Sequence, residues 1–180
     1  NFLHMNYKYL LGLLKSGMYG EFYKEIKTNL ICFMDPNVYG RSILENSSFI
    51  APTCNPDPMV HGQGFVARLS GSTVEMLHIW TLMMFGDNPF IMSNDELTLN
   101  LRPALPEAFF DENNEVSFTF MGATKVTYAN SARVNTFDKF DVKEYVLTFA
   151  NGESKTLSEV KGENAVALRD GEVSELQVNF

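Results

Sequence analysis

The hydrophobic positions of the chain change their spacing near residue 90. Before that point they recur about every 3.6 residues in the stretches 2–15, 20–34 and 72–86, which predicts three α-helices. Ser16-Gly17 is typical of a helix end, so the first two helices are expected to form an antiparallel hairpin. The third stretch is apolar nearly all round, which predicts burial on most sides.

Beyond residue 90, apolar and polar residues alternate as they do in half-buried antiparallel strands. The predicted strands are 96–101, 115–120, 125–130, 144–149, 154–160, 164–168 and 173–179. Asn151-Gly152 lies between two of these runs and is typical of a type I′ hairpin turn. We therefore predict an α+β chain in two parts, helices over 1–90 and an antiparallel β-sandwich over 91–180.

Residues 35–68 separate the second and third predicted helices and contain four prolines and three glycines. A long irregular stretch inside a compact domain is usually either functional or disordered. This one is too apolar for disorder, so we expect it to carry function.

Composition narrows the classes of partner. The formal net charge is −8, which argues against nucleic acid or an anionic membrane as the main partner. No apolar run approaches the roughly 20 residues of a membrane span. Cys32 and Cys54 suggest no disulfide framework, which fits a reducing, cytoplasmic location. Because Asn1 begins directly in a helical pattern, we interpret the chain as part of a longer one.

The segment RLSGST at 68–73 leads directly into the third predicted helix. One interpretation is an ordinary helix start, in which Ser70 or Ser72 caps the helix and Glu75 completes a capping box. The other interpretation adds an anion. The first backbone N–H groups of a helix lack internal partners, and the helix dipole favours negative charge there.

An anion site at this position would use several neighbouring groups. Gly71 lets a phosphate approach the backbone, and the serine hydroxyls can donate to its oxygens. Arg68 or His61 could supply positive charge. The capping and anion interpretations are compatible, because a helix start that is partly open can serve both purposes.

The stretch GRSILENSSFIAP at 40–52 combines a carboxylate, an amide and an aromatic ring in a loop flanked by Gly and Pro. Glu45 and Asn46 suit hydrogen bonding to sugar hydroxyls, and Phe49 offers a platform for the apolar face of a sugar ring. Alternatively, Glu45 pairs with the nearby Arg41 and only holds the loop. The residues themselves leave both interpretations open.

Other chemistries find little support in the sequence. His4, His61 and His78 share no metal-ligand spacing, and neither HExxH nor paired cysteines occur, so no metal site is predicted. HGQG is similar to an oxyanion-hole loop, but the chain has no GxSxG motif to use it. SGST lacks the lysine of a P-loop.

Several motifs together resemble the end of an inverting glycoside phosphorylase of the cellobiose, chitobiose and β-1,2-oligoglucan phosphorylase group. They are ENSSF, HGQGF, ARLSGST, a following helix with Trp80, LRPALPEAFF and VSFTFMGATKVTYAN. The resemblance extends over essentially all 180 residues. It implies the last helices and active-site loop of an incomplete (α/α)6-barrel catalytic domain over 1–90, followed by a C-terminal β-sandwich domain over 91–180.

The resemblance also implies site residues. Glu45 and Phe49 match an E-x-x-x-aromatic pattern near the non-reducing sugar. From the chemistry of the same loop, Arg41 and Asn46 are expected beside them as substrate-binding residues. Ser70-Gly71 matches a Thr-Gly pair that holds phosphate, and His61 matches a phosphate-contacting histidine. Ser72 and Arg68 complete the expected phosphate site.

The implied reaction is reversible phosphorolysis of β-glucosides with inversion, which gives an α-sugar 1-phosphate. Its partners are a β-linked oligosaccharide and inorganic phosphate as co-substrate, without a further cofactor, and a homodimer is compatible with the intact enzyme. The general acid is expected upstream, so this chain alone is expected to be inactive. Asp35 and Asp57 match the acid only by residue type and are expected to be turn or cap residues.

Two other functions stay open. One is a glycoside hydrolase on the same scaffold, which phosphate-dependent release of sugar 1-phosphate would distinguish from a phosphorylase. The other is a non-catalytic carbohydrate-binding or structural module with 93–180 as its working part. Affinity of the β half for oligosaccharides would favour that module.

Overall fold

The structure, a computed structural model, describes residues 1–67 and 71–180. It is an α+β chain, as the hydrophobic pattern predicts, and it forms two compact units, Asn1–Leu82 and Met83–Phe180. None of the helices in the described part of the chain is both long and apolar enough to cross a membrane.

The first unit contains the predicted helices and, between them, short elements that the pattern does not predict. In chain order its elements are α1 (Leu3–Lys15), α2 (Tyr19–Asn29), a 3-10 helix (Ile31–Phe33), α3 (Pro36–Tyr39), β1 (Ser47–Ile50), a 3-10 helix (Pro58–Val60), β2 (Gly64–Ala67) and α4 (Gly71–Met84). The last two residues of α4 are counted in the second unit. The expected end of α1 is confirmed. Gly17 takes φ 71° and the Met18 N–H donates to the Leu13 carbonyl oxygen at 3.0 Å, which closes a Schellman motif.

The second helix is shorter than predicted. It ends at Asn29, because Leu30 has extended backbone (φ −93°, ψ 128°) and is buried together with Ile31. The apolar residues that suggested a continuous helical face thus belong to two elements. A periodic pattern shows that residues are buried, and two short elements can bury them as well as one long helix.

The stretch 35–68, predicted to be irregular, contains a two-stranded antiparallel sheet. In it Phe49 of β1 lies opposite Phe65 of β2, and Ser47 lies opposite Ala67. Each strand has only four residues, too few to show a convincing alternation. The stretch also contains α3 and a 3-10 helix, and the loops that connect these short elements in its described part agree with its prolines and glycines.

Helix α4 differs from its prediction in one respect. Burial on most sides is not observed, because Val74 and Leu77 are 66% and 62% exposed and Trp80 is 39% exposed. These three residues follow one another at intervals of three along the helix, so they form one exposed apolar stripe. Ile79 lies on the buried side.

The second unit is built on a five-stranded sheet. Its elements are β3 (Phe90–Ser93), β4 (Glu96–Leu99), a 3-10 helix (Glu107–Phe109), β5 (Glu115–Phe120), β6 (Thr124–Ala129), β7 (Glu144–Phe149), β8 (Ser154–Leu157), α5 (Glu163–Arg169) and β9 (Val173–Asn179). The order in the sheet is β5-β6-β9-β7-β8, and β3 and β4 form a separate pair. The sheet is mixed, since β9 runs parallel to β6 and antiparallel to β7. The prediction of antiparallel strands throughout is therefore wrong for this pair.

The predicted strand at 164–168 is instead the helix α5. Within it Ala165 and Leu168 are buried and lie three residues apart, as on one helix face. Over so few residues a helical and an alternating pattern cannot be told apart. Gly162 and Gly171, with φ 56° and 82°, lie just outside the two ends of the helix.

The turn at Asn151-Gly152 differs from the predicted type. The hairpin at Asn151-Gly152 is present between β7 and β8, but only Gly152 has positive φ there. A type I′ turn needs two such residues, so that turn type is wrong. Asn94 and Asp95, with φ 50° and 63°, form the two-residue connection between β3 and β4 that has this property.

Thr136 fixes the segment LRPALP to the core of the second unit. Its buried hydroxyl donates to the Pro103 carbonyl oxygen at 2.7 Å and accepts from the Leu105 N–H at 2.8 Å. Its own N–H donates to the Leu105 carbonyl oxygen at 2.9 Å. One side chain therefore pairs two backbone groups that have no access to water.

Replacing this hydroxyl should destabilise the second unit. Thr136→Val keeps a side chain of similar shape but leaves two backbone groups unpaired, at about 1–3 kcal/mol for each. We expect a loss of about 2–4 kcal/mol in the opening free energy of core amides in β6 and β9. Native-state hydrogen exchange on the whole chain measures this. The matched control is Thr119→Val on the exposed side of β5, which should change the value little. Equal effects of the two variants would contradict the assignment.

Candidate functional site

The loop between α3 and β1 carries the residues predicted to bind sugar. Gly40, with φ 70°, ends α3 and turns the chain into this loop. Arg41 donates from Nη1 to Glu45 Oε1 at 2.9 Å and from Nε to the Gly64 carbonyl oxygen at 2.8 Å. The Glu–Arg pair expected as one alternative is therefore present. Both side chains are partly exposed, 32% for Arg41 and 45% for Glu45, so the carboxylate stays accessible.

The buried tyrosine Tyr39 supports this loop from below. Its hydroxyl donates to the Glu45 carbonyl oxygen at 2.6 Å, accepts from the Ser47 N–H at 3.0 Å, and lies 2.8 Å from Ser47 Oγ. Tyr39 itself is fully buried. The backbone on both sides of Asn46 is therefore held by one phenol.

Gly64 explains how Tyr39 fits beneath the loop. A Cβ at this position would lie 2.7 Å from Ser47 Oγ and 2.8 Å from Tyr39 Cζ. No ordinary side chain tolerates such distances, so the close approach of β2 to the tyrosine ring requires glycine. The GQG part of the HGQGF motif thus has a packing role at its second glycine.

A second buried tyrosine holds the side chain of Asn46. The Tyr7 hydroxyl donates to Asn46 Oδ1 at 2.9 Å and accepts from the Ile31 N–H at 3.4 Å. Burial raises the pKa of Tyr7 well above its ordinary value, so the phenol keeps its proton and remains a donor. Asn46 is half-buried, next to the exposed Glu45.

Aromatic rings border the same loop. Phe49 on β1 is 37% exposed, and its ring centroid lies 4.8 Å from that of Phe2. Phe65, opposite Phe49 in the β1–β2 register, is also exposed. The predicted aromatic platform at Phe49 is thus part of a larger exposed aromatic surface.

The residues predicted to hold phosphate are only partly described. Arg68 and Ser70 lie outside the described residues. Gly71 is the first described residue of α4, and the neighbouring Ser72 is fully buried with its Oγ 3.5 Å from the Ser47 carbonyl oxygen. The start of α4 therefore lies against the strand that follows the Glu45–Asn46 loop.

His61 has a local partner in its own loop. Its Nε2 lies 2.8 Å from the Asn55 carbonyl oxygen. Since a carbonyl oxygen only accepts, this nitrogen carries a proton and donates. His61 thus stabilises the loop 55–61, and Nδ1 is the ring nitrogen left for any other role.

His4 is a residue that sequence reasoning did not place in the site. Its ring packs on Gly71 so closely that a Cβ there would overlap the imidazole. Its Nε2 lies 3.3 Å from Glu75 Oε1, one turn into α4. His4 and Glu75 are 71 positions apart, and nothing in the helical pattern of α1 distinguishes His4 from its neighbours.

The two aspartates considered as acids are helix-capping residues. Asp35 accepts from the Asn37 N–H at 2.9 Å at the start of α3, and Asp57 accepts from the Met59 N–H at 2.9 Å at the start of the 3-10 helix. Their expected role as cap residues is confirmed. Within the described ranges, no group of three or more His, Cys, Asp or Glu side chains could hold a metal ion.

The arrangement offers two kinds of chemistry in the first unit. The loop around Glu45 presents a carboxylate, an amide and an aromatic surface, which suit a polyhydroxylated ring. The imidazole of His4 lies against Gly71 near the N-terminal end of α4, and helix N-termini suit anions. Comparison with protein-family models gives no match, and comparison with curated proteins gives no significant match.

Proposed function

We propose that the chain is part of an inverting glycoside phosphorylase that cleaves a β-glucoside with inorganic phosphate. The contact that carries the proposal is the one from Ser72 Oγ, at the start of α4, to the Ser47 carbonyl oxygen at 3.5 Å. It connects the N-terminal end of α4, where we place the phosphate, directly to β1, the strand that follows Glu45 and Asn46. The donor groups for phosphate and the groups for a sugar thus belong to one connected arrangement.

The chemical logic of a phosphorolysis fits this set of groups. An inverting hydrolase uses two carboxylates, one as acid and one as base that activates water. Phosphate is already an anionic nucleophile, so it needs a set of donors to hold it instead of a second carboxylate. A helix start with an adjacent imidazole supplies such donors. The general acid would come from a part of the protein upstream of this chain.

In the phosphate site, His4 takes a larger role than the sequence suggested. It contacts Gly71 directly, and Glu75 accepts from its Nε2, so Nδ1 is the ring nitrogen left for a ligand. We place His4 and the backbone of Gly71 and Ser72 at the phosphate. Arg68, Ser70 and His61 remain expected contributors from the resemblance.

In the sugar site, Glu45 is the principal hydrogen-bond acceptor. Its Oε1 is held by Arg41, which fixes the orientation of the carboxylate without burying it. Phe49 and the neighbouring Phe2 supply an apolar surface for a ring face. A charged acceptor beside an aromatic ring is a common way to bind a pyranose.

The proposal includes the architecture that the resemblance implies. The helices of the first unit would be the last ones of an (α/α)6 barrel, and the exposed stripe of Val74, Leu77 and Trp80 on α4 would face helices of the rest of the barrel. The five-stranded sheet of the second unit would supply one layer of the C-terminal β-sandwich. We also propose a cytoplasmic location.

The decisive experiment measures products with and without phosphate. The full-length protein that carries this chain is incubated with β-linked gluco-oligosaccharides of different linkage. We expect release of α-glucose 1-phosphate that requires inorganic phosphate. Release of free glucose without phosphate would instead identify a hydrolase. Oligosaccharide binding by this chain without either product would favour a non-catalytic module.

Removing the imidazole at the start of α4 should weaken phosphate use selectively. A hydrogen bond to a charged oxygen contributes about 1.5–3 kcal/mol, so His4→Ala should raise the KM for phosphate by about tenfold or more. The KM for the sugar should change little. Steady-state kinetics with each substrate varied, together with a thermal melt, measure this effect.

The variant for comparison is His61→Ala, at the histidine that the resemblance places at the phosphate. Because His61 is bonded to the Asn55 carbonyl, we expect a smaller change in the KM for phosphate than with His4→Ala. A large effect at His61 and none at His4 would contradict the placement of His4 and favour the contact implied by the resemblance. A lower melting temperature with unchanged phosphate KM would leave His4 a purely structural residue.

Neutralising the loop carboxylate should impair the sugar site. Glu45→Gln keeps the size of the side chain but removes charge-assisted hydrogen bonds, each about 1.5–3 kcal/mol. We expect kcat/KM to fall by about ten- to a hundredfold with folding retained. Glu21→Gln, at an exposed carboxylate of α2, is the control and should behave as the wild type. Normal activity of Glu45→Gln would leave Glu45 with only its structural pair to Arg41.

A further inference from the structure

The side chains of Glu45 and Asn46 have opposite hydrogen-bonding character, and the structure fixes it for both. The Ile31 N–H can only donate, so the Tyr7 oxygen accepts from it, and the phenol proton is free to be directed elsewhere. That proton is directed to the side chain of Asn46, at 2.9 Å.

The Tyr7 hydroxyl determines the orientation of the Asn46 amide. Because Tyr7 donates, Asn46 must present its oxygen to the phenol. The opposite orientation would leave the phenol proton of a fully buried side chain without an acceptor. The amide nitrogen therefore points away from Tyr7. No described group accepts from Nδ2, so position 46 offers hydrogen-bond donors to a ligand.

Glu45 offers a ligand an acceptor instead of a donor. A carboxylate only accepts, and Arg41 occupies its Oε1 at 2.9 Å. Oε2 is then the acceptor available to a ligand. Tyr39 holds the backbone on both sides of Asn46, so the acceptor and the donor come from one immobilised dipeptide.

We propose that Glu45 and Asn46 together recognise two neighbouring hydroxyl groups of the sugar, and that the direction of each hydrogen bond is fixed. One hydroxyl donates to Glu45 Oε2, and the other accepts from Asn46 Nδ2. Tyr7 is a positioning residue, because it sets which end of the Asn46 amide meets the ligand. This inference rests on the proposed function, and it specifies how the sugar site of that function distinguishes its substrate.

The direction of each hydrogen bond can be tested with fluorinated sugars. A hydroxyl can both donate and accept, whereas a fluorine substituent can only accept, and only weakly. At the position that faces Asn46, fluorine should replace the hydroxyl better than hydrogen does. At the position that faces Glu45, fluorine should be no better than hydrogen, because the lost donor is what matters. A pocket of unspecified polarity would show no such contrast between adjacent positions.

The experiment uses calorimetric binding of α-D-glucose 1-phosphate and its monodeoxy and monodeoxyfluoro analogues to the full-length protein. In the wild type, each deoxy analogue at the two recognised positions should bind about three- to tenfold more weakly than the parent sugar. The fluoro analogue should recover part of the loss at one of these positions only. Asn46→Asp replaces the donor by an acceptor and should reverse the ranking of fluoro and deoxy analogues at that position.

Tyr7→Phe tests whether Tyr7 orients the Asn46 amide or only stabilises the loop. Without the phenol the amide can turn, so the contrast between fluoro and deoxy analogues should disappear, while the parent sugar binds about threefold more weakly. Tyr9→Phe, on the exposed side of the same helix, should keep the wild-type ranking. If Tyr7→Phe lowers the melting temperature but keeps the ranking, the positioning role of Tyr7 is wrong.

The outcomes distinguish this inference from the function on which it rests. If the wild type binds neither α-D-glucose 1-phosphate nor its analogues, the proposed function fails, and this inference fails with it. If the wild type binds the parent sugar but Asn46→Asp leaves the ranking of the analogues unchanged, only this inference is overturned. A reversal in Asn46→Asp together with loss of contrast in Tyr7→Phe supports it.

Discussion

Two buried phenols determine the shape of the first unit around its candidate site. The hydroxyls of Tyr7 and Tyr39 bond to three consecutive residues, Glu45, Asn46 and Ser47, just before and at the start of β1. A loop that packs on an apolar core needs partners for its backbone groups, and long aromatic side chains provide them without opening the core to water. The exposed carboxylate of Glu45 is therefore supported from within the core. The contact between Ser47 and Ser72 connects this supported segment to α4.

The sequence pattern predicts the elements that depend on local periodicity and fails where partners are distant in the chain. Helix α1 and the strands β5, β7 and β9 lie where the pattern predicts them, because each repeats its pattern over six or more residues. The prediction of a strand at 164–168 is wrong because the seven residues of α5 are too few to distinguish helical from strand periodicity. The prediction of antiparallel strands is wrong for β9 and β6 for another reason, since strand order and direction depend on packing rather than on alternation.

The candidate site divides in the same way. The ion pair of Arg41 and Glu45 is separated by four positions and could be anticipated from the sequence. The contact of His4 with Gly71 joins α1 to α4, and the bond from Tyr7 to Asn46 joins α1 to the loop before β1. Neither Gly71 nor Asn46 carries a local signal of its partner. Glycine at 71 suggested space for an anion, whereas the structure shows that the imidazole of His4 already uses part of that space.

Charge shows why the composition of the whole chain is a weak guide to its ligands. Residues 1–82 contain six basic and six acidic residues, whereas 83–180 contain eight basic and sixteen acidic ones. The net charge of −8 therefore arises entirely in the second unit, and the unit with the candidate anion site is neutral. Binding of a phosphate depends on a few donors at hydrogen-bonding distance, whose attraction exceeds that of more distant, solvent-screened charges. An acidic protein can thus bind an anion where a few donors converge, and the proposed phosphate site at His4 and α4 depends on such local groups rather than on the net charge.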